Sequence, residues 1–498
     1  MPRHRETFPA FLQRTWWIWA VLLTLYGALA AALPPLDDEV YYWSWSPALQ
    51  WSYYDHPPLT AWLIRLSTHF WGRSVLGIRF PACACITFTL AVIAYLTECV
   101  VNRHPSHAFR RFAVSPLIIG LVITPLFTLG GILITPDAPL LAAWAAYALW
   151  LVRIHEKLEF ESASRSLWPW WLLGGVILGL GGLAKYTMIV AVPAGFVSFL
   201  LTRWSWRRWL PGYLAHGVIS FAVASPILIF NLQHDFVPLK FQWEHASHDP
   251  ASLKTFFEFV GIQIVLFGTL PWFLLPWCAR YLRTLSTTPL LRVCASLYLV
   301  PLSFFLYKAT RSQLEGNWAL VAFVTVWPIA QAWYETIKQS RAWRRATAAS
   351  FLIPAVCVLL LAGHILHPWA FIPPEKDRLT RQRARWRAVH DLAAVIQHLN
   401  SHEPTYTSTY QMTALLRFHG IDARQIEGAS RPSHFTFPPQ RVTDVNHAFV
   451  VAEQPLSTEF VKGFSHPQLI KSVPLMVRGR KIQTYELWEY RRDRDAGP

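Results

Sequence analysis

Charge is what this chain lacks. Of its 498 residues only 15% are Asp, Glu, Lys or Arg, while 53% are hydrophobic. Soluble domains carry roughly 25% charged residues. The shortfall, with a mean hydropathy of +0.27, excludes an ordinary soluble enzyme. Cysteine is scarce as well. Cys83, Cys85, Cys99, Cys278, Cys294 and Cys357 all sit inside apolar segments, and Cys83 and Cys85 do not have zinc-knuckle spacing. They read as buried thiols that pack as small hydrophobes. The sequence has no Walker loop and no Gly-rich dinucleotide turn, so a soluble nucleotide donor is unsupported. No nucleic-acid motif accompanies the net charge of +16, so nucleic acid is rejected as a partner. There is no internal repeat and no low-complexity tract. The absence of matching broken helices in two halves argues against a transporter.

What is present is a series of long apolar stretches, each near the about 20 residues that cross a bilayer as a helix. They imply an α-helical polytopic membrane protein of about eleven spans or more. The first runs from Trp16 to about Ala32, and without a small-residue cleavage site it is expected to be retained. Others centre near residues 78–101, 112–134, 138–153, 168–184, 186–202, 209–230, 255–280, 291–307, 317–336 and 346–367. The 26 tryptophans fit bilayer interfaces, with some available to stack on a ligand.

Every second link is basic. Arg3, Arg5 and Arg14 come first, then Arg103, Arg110 and Arg111, then Arg153, Lys157 and Arg165. Arg203, Arg207 and Arg208 follow, then Arg280, Arg283 and Arg292, and finally Lys338, Arg341, Arg344 and Arg345. Such links face the cytoplasm, so the alternate links and the C-terminal region are expected outside. That region, 368–498, is polar. RWRAVHDLAAVIQHLN (385–400) has helical periodicity, and AFVVAE (448–453) and KIQTYELWEY (481–490) read as strands. A small α/β domain of roughly 130 residues is expected beyond a membrane domain of residues 1–367.

The first outer loop, residues 34–77, is unusual. After Pro34 and Pro35 come Asp37, Asp38 and Glu39, then the aromatic run VYYWSWSPALQW, then YYDHPP with Asp55 and His56, then LTAWLIRLSTHFWG. The aromatic run suits a helix lying in the interface, and Pro-Pro breaks it. A solvated loop with helix caps is the plainer reading; four acids without local basic partners favour a site. Other outer links add polar groups. Asp137 in ITPDAPL reads by itself as turn chemistry, and Lys185 in GGLAKYT equally as a snorkelling lysine. YKATRSQLEGNW gathers Lys308, Arg311, Glu315 and Asn317, charges that need a partner or a ligand. Acids in two places and cations in two others suit a substrate with an anionic group and a reacting hydroxyl or amine. Cations hold phosphate, and a carboxylate takes the acceptor's proton. A lipid-carried phosphate fits an outer membrane surface.

DDEVYYWSWS, YYDHPPLTAWLIRL, GIRFPA, ITPDAPLLAAW, GLAKYT and EGNW, in this order, resemble the bacterial members of glycosyltransferase family 39. These polyprenyl-phosphate-sugar-dependent enzymes are related to the lipid A aminoarabinose transferase and to protein O-mannosyltransferases. The resemblance covers roughly residues 15–370, and TYTSTYQMTALLRFHG in the tail resembles a segment of the outer domain more weakly. It implies the GT-C fold, a multi-pass protein of the bacterial inner membrane, and an active site on the periplasmic side together with the C-terminus. It further implies a polyprenyl-phosphate sugar donor and an inverting transfer to lipid A or another glycolipid. Asp38 maps to the catalytic acid, with Glu39 beside it, and Asp137 to the second family acid, which replaces its reading as a turn. Lys185 and Arg311, with Lys308 and His56, are expected at the donor phosphate. Tyr42, Tyr54, Asp55, Glu315 and Asn317 are assigned to substrate. The resemblance also allows a divalent ion at the outer loops with Asp55 and His56 as candidate ligands, but Asp-His-Pro-Pro has no zinc-like spacing and no metal is assigned. A protein O-mannosyltransferase is the alternative within enzymes, and a lipid or sugar transporter or flippase the alternative of another class.

Overall fold

The structure is a computed structural model. It describes residues 6–101, 116–160, 166–247, 250–280, 288–399, 403–437, 447–452 and 464–492. Of the basic link residues, Arg3, Arg5, Arg103, Arg110, Arg111, Arg165 and Arg283 lie outside the described residues, as do the start of the expected 112–134 span, Asn400 and Glu453. The chain divides into two compact units. One comprises Met1–Ala30, His56–Leu63 and Arg79–Leu360; the other comprises Ala31–Asp55, Ile64–Ile78 and Leu361–Pro498. Most of the first outer loop therefore clusters with the C-terminal region, where the sequence suggested one boundary at 367.

The first unit is helical. Among the described residues six helices are long and apolar enough to cross a membrane: Phe8–Ala32, Val75–Val101, Asp137–Glu159, Trp206–Gln233, Pro289–Ala309 and Arg341–Leu366. A seventh is counted if Leu253–Phe267 and Leu270–Cys278, bent by 106°, form one span. The other stretches expected as spans are short or broken helices among the described residues. The described part of 112–134 is two short helices, Pro116–Val122 and Pro125–Gly130, split where Pro125 cannot continue the first. Trp168–Ala184 and Tyr186–Leu200 are shorter apolar helices, and 317–336 holds the 3-10 turn Leu320–Val324 before Val326–Ile337. The 106° bend turns on Gly268, whose φ is +81° and whose missing Cβ would lie 2.2 Å from the Ser350 carbonyl oxygen; a side chain there is excluded on both counts.

Small residues draw the helices together. Gly175 and Gly179, one turn apart on Trp168–Ala184, face Trp206–Gln233; a Cβ on either would lie 2.6 Å from the His216 carbonyl oxygen and 2.5 Å from Val223, respectively. Without a hydrophobic drive between helices in lipid, such close backbone approach supplies the packing. Buried Arg79 donates to the Ala30 carbonyl at 2.9 Å, and Tyr26 to that of Phe127 at 2.6 Å. Each gives a buried donor a backbone acceptor.

The second unit is α/β. A five-stranded sheet has the order β2-β1-β3-β5-β4, with β1 Thr405–Thr407, β2 Ala423–Gln425, β3 His447–Ala452, β4 Phe464–Val477 and β5 Arg480–Arg492. β1 runs parallel to β2 and β3, and the helix Tyr410–Phe418 makes the crossover from β1 to β2. β4 and β5 form a hairpin closed by Arg478 and Gly479, both at positive φ (49° and 76°), the backbone that matches strand twist in a two-residue turn. Tyr406, Ile426, Ala448, Val450, Ala452 and Tyr490 fill the core. The strands expected at 448–453 and 481–490 are found in β3 and β5, and the expected helix in Arg378–His398. That helix starts at Asp377, whose carboxylate accepts from Thr380 N at 3.0 Å and pairs with His364 Nε2 at 3.0 Å.

Candidate active site

The candidate residues fall into two polar clusters, one in each unit. The first lies among the membrane helices. Asp137 opens the helix Asp137–Phe160, where a carboxylate meets the positive end of the helix dipole. Lys185 follows Trp168–Ala184 in extended backbone (φ −158°, ψ 141°). Its Nζ lies 2.7 Å from Asp137 Oδ1, and both residues are buried. Asn317 Nδ2 donates to Asp137 Oδ2 at 2.8 Å. The Asn317 link is pinned by Gln263, whose side-chain amide donates to the Gly316 carbonyl at 2.7 Å. Both Asp137 oxygens are thus occupied, and Lys185 has its charge compensated. Arg311 is exposed, with its guanidinium 5.6 Å from the Tyr307 ring centroid. Among the described residues neither Arg311 nor half-buried Lys308 has an ion-pair partner. Glu315 is exposed on the same link, and His56 is half-buried.

The second cluster is in the α/β unit. The helix Asp37–Ser44 begins where Pro34 and Pro35 end the preceding helix, and it packs on Tyr410–Phe418. Its three acids take different tasks. Asp37 is buried, with Oδ2 2.5 Å from Arg385 Nη1; Arg385 Nε donates to the Tyr485 hydroxyl at 2.9 Å. Burial pushes the Asp37 carboxyl up from its ordinary value, against the pull of Arg385. Glu39, only 1% exposed, turns back to accept from Leu36 N at 2.8 Å and so caps its own helix. Asp38 is only half-buried, and its hydrogen bond among the described residues is a long one, from the Tyr410 hydroxyl to Oδ1 at 3.3 Å.

Asp55 closes the cluster. Its Oδ1 lies 2.8 Å from Arg431 Nη1, and its Oδ2 accepts a short hydrogen bond from the Tyr41 hydroxyl. His434 N donates to that same Tyr41 oxygen at 2.9 Å. Burial pushes Asp55 up, with Arg431 and Tyr41 pulling back; burial and Asp55 push Tyr41 well above its ordinary value, so it stays a donor. Around these groups the aromatic run is packed. Trp45 stacks on Tyr53 at 4.7 Å, Tyr41 meets Tyr410 at 4.7 Å, and the half-buried Tyr42 meets Trp45 at 5.1 Å. Buried Tyr54 lies 5.6 Å from Phe437.

The first cluster thus joins Asp137, Lys185 and Asn317. The second joins Asp38 and Asp55 through Tyr410, Tyr41 and Arg431, with Asp37 beside Asp38 on its own arginine, Arg385. Sequence reasoning did not find Arg385, Tyr410, Arg431 or His434; only the tail segment TYTSTYQMTALLRFHG pointed near one of them, Tyr410. A divalent ion fits poorly. Among the described residues no three His, Cys, Asp or Glu side chains gather into a ligand set, and Asp37, Asp55 and Asp137 are each paired with a cation. No step is routed through a metal.

Comparison with known proteins follows this geometry. Residues 55–230 match the family model for dolichyl-phosphate-mannose-protein mannosyltransferase. Lipid A galacturonosyltransferase RgtD of Rhizobium johnstonii is 24% identical over 348 residues, 69% of each chain. The crystal structure of ArnT from Cupriavidus metallidurans in the apo state aligns with a TM-score of 0.65 at 15% identity, covering 95% of this chain and 98% of that one. The same protein bound to undecaprenyl phosphate gives 0.63 at 13% identity with the same coverage. The resemblance legible in the sequence stands: the chain has the fold of ArnT, and its residues 55–230 match the family model for dolichyl-phosphate-mannose-protein mannosyltransferase.

Proposed function

We propose that this protein is an integral membrane glycosyltransferase. It takes a sugar from a polyprenyl-phosphate donor at the periplasmic face of the inner membrane and transfers it, with inversion, to a lipid acceptor of the lipid A type. The observation that carries this reading is the likeness to ArnT over 95% of the chain, since that fold has been solved with undecaprenyl phosphate bound. The similarity to a lipid A galacturonosyltransferase supports the acceptor class. The basic links support the orientation. A protein acceptor finds support only in the family description of residues 55–230; the lipid A relative aligns over the longer stretch, 348 residues.

In this reading Asp38 orients and deprotonates the acceptor nucleophile. It is the acid of the first loop whose oxygens are least committed, and it is the most accessible of the four but for its tyrosine contact. Arg311, with Lys308, stabilises the leaving phosphate, placing positive charge where negative charge develops. Lys185 is compensated by Asp137, so its part is to hold the link through Asn317 and to share its charge with the phosphate. Glu39 serves as a helix cap. The test is transfer of radiolabel from undecaprenyl-phosphate sugars to lipid A by the purified protein in lipid. Label in lipid A supports the reading; label in protein only moves it to the protein acceptor; no label from any donor overturns it.

A further inference from the structure

We propose that Tyr410, backed by Arg431, is a positioning residue for Asp38, so that the C-terminal α/β region supplies a working part of the active site. The inference rests on the reading of Asp38 given above. The Tyr410 hydroxyl donates to Asp38 Oδ1 at 3.3 Å. Burial, then the nearby Asp38 charge, pushes that hydroxyl above its ordinary value, so it keeps its proton and remains a donor. The ring is held on two sides. Tyr41 lies against it at 4.7 Å, and the Arg431 guanidinium sits 4.2 Å from its centroid. Arg431 is fixed in turn by Asp55, which also holds the Tyr41 hydroxyl. The helix Tyr410–Phe418 starts at Thr409, whose side chain accepts from Met412 N, so Tyr410 stands on the rigid first turn of a helix. A single chain of contacts therefore runs Asp55–Arg431–Tyr410–Asp38, and only its last bond is long.

A catalytic carboxylate with one accessible oxygen needs its other oxygen held. A hydroxyl at Oδ1 does this and leaves Oδ2 to work on the acceptor. The alternative, a cation at Oδ1, would lower its basicity, as an adjacent positive charge favours the ionised form.

The test uses the full chain in lipid, with undecaprenyl-phosphate-linked galacturonic acid, aminoarabinose and mannose as donors and lipid A as acceptor. Tyr410→Phe keeps the ring and removes the hydroxyl. The expected result is a kcat roughly tenfold or more below wild type with donor KM unchanged, since misplacing a catalytic group costs rate rather than binding. In an Asp38→Asn background the same substitution is expected to add nothing, because the two act as one unit. Arg431→Lys, which keeps the pair with Asp55 but not the flat face on the ring, is expected to give a smaller loss of kcat. A wild-type kcat in Tyr410→Phe, or the same loss in both backgrounds, overturns the inference while leaving the functional reading intact. An Asp38→Asn variant as active as wild type, or no transfer by wild type from any donor, overturns the functional reading and the inference with it.

Discussion

Asp137 and Asp38 are acids at helix starts in two different units, and their surroundings are opposite. Asp137 is buried and partnered on both oxygens, with Lys185 on one and Asn317 on the other. Asp38 is half-buried, with one long bond from Tyr410. A carboxylate with a close partner on each oxygen is held in place; one with a single long bond is freer to take a proton. The contrast is what supports the proposed roles, with the Asp137 cluster tying helix ends together and Asp38 as the reacting acid. Asp37 and Asp55 repeat the first pattern within the second unit, each on its own arginine.

Substitutions can break this contrast. The largest expected effect on rate is that of Asp38→Asn, a loss of about 10² to 10⁴ in kcat with unchanged thermal stability. Next is Asp137→Asn, which leaves Lys185 buried without its counter-charge. A loss of about 3–5 kcal/mol of stability is expected, read as a lowered melting temperature in detergent, whatever the change in turnover. If Asp137→Asn melted like wild type and lost only rate, the two acids would have to exchange roles. Arg311→Gln is expected to raise donor KM about tenfold and leave the melting temperature alone, since an exposed arginine on a link contributes little to stability. The smallest effect is that of Glu39→Gln. Its amide oxygen still accepts from Leu36 N, so a loss of about 1 kcal/mol or less is expected, with activity near wild type. A large drop in turnover from Glu39→Gln would make it a second catalytic acid and blur the contrast.

Much of the fold class could be read from composition. Low charge and long apolar stretches point to a polytopic helical protein, and the strands expected near 448 and 481 are found as β3, His447–Ala452, and β5, Arg480–Arg492. The number of spans was less legible, because hydropathy measures apolar length and is blind to breaks. Pro125, Gly268 and the 3-10 turn Leu320–Val324 each interrupt a stretch that reads as continuous. For the site, the acids and cations stood out because charge is rare in their surroundings. Their pairing did not, since Asp137 is met by Lys185 across 48 positions and by Asn317 across 180. The tail residues were least legible. Arg385, Tyr410 and Arg431 lie in a polar region where arginine and tyrosine are unremarkable by type, and they are selected only by the distances at which folding sets them from Asp37, Asp38 and Asp55.

The measurement that tests the central claim most directly is single-turnover transfer of label from undecaprenyl-phosphate sugars to lipid A, by wild type and Asp38→Asn reconstituted side by side in lipid. The account predicts transfer by wild type and a rate at least a hundredfold lower for the variant at equal folded protein. Transfer by Asp38→Asn within about tenfold of wild type would contradict it, because removing a general base costs more than that.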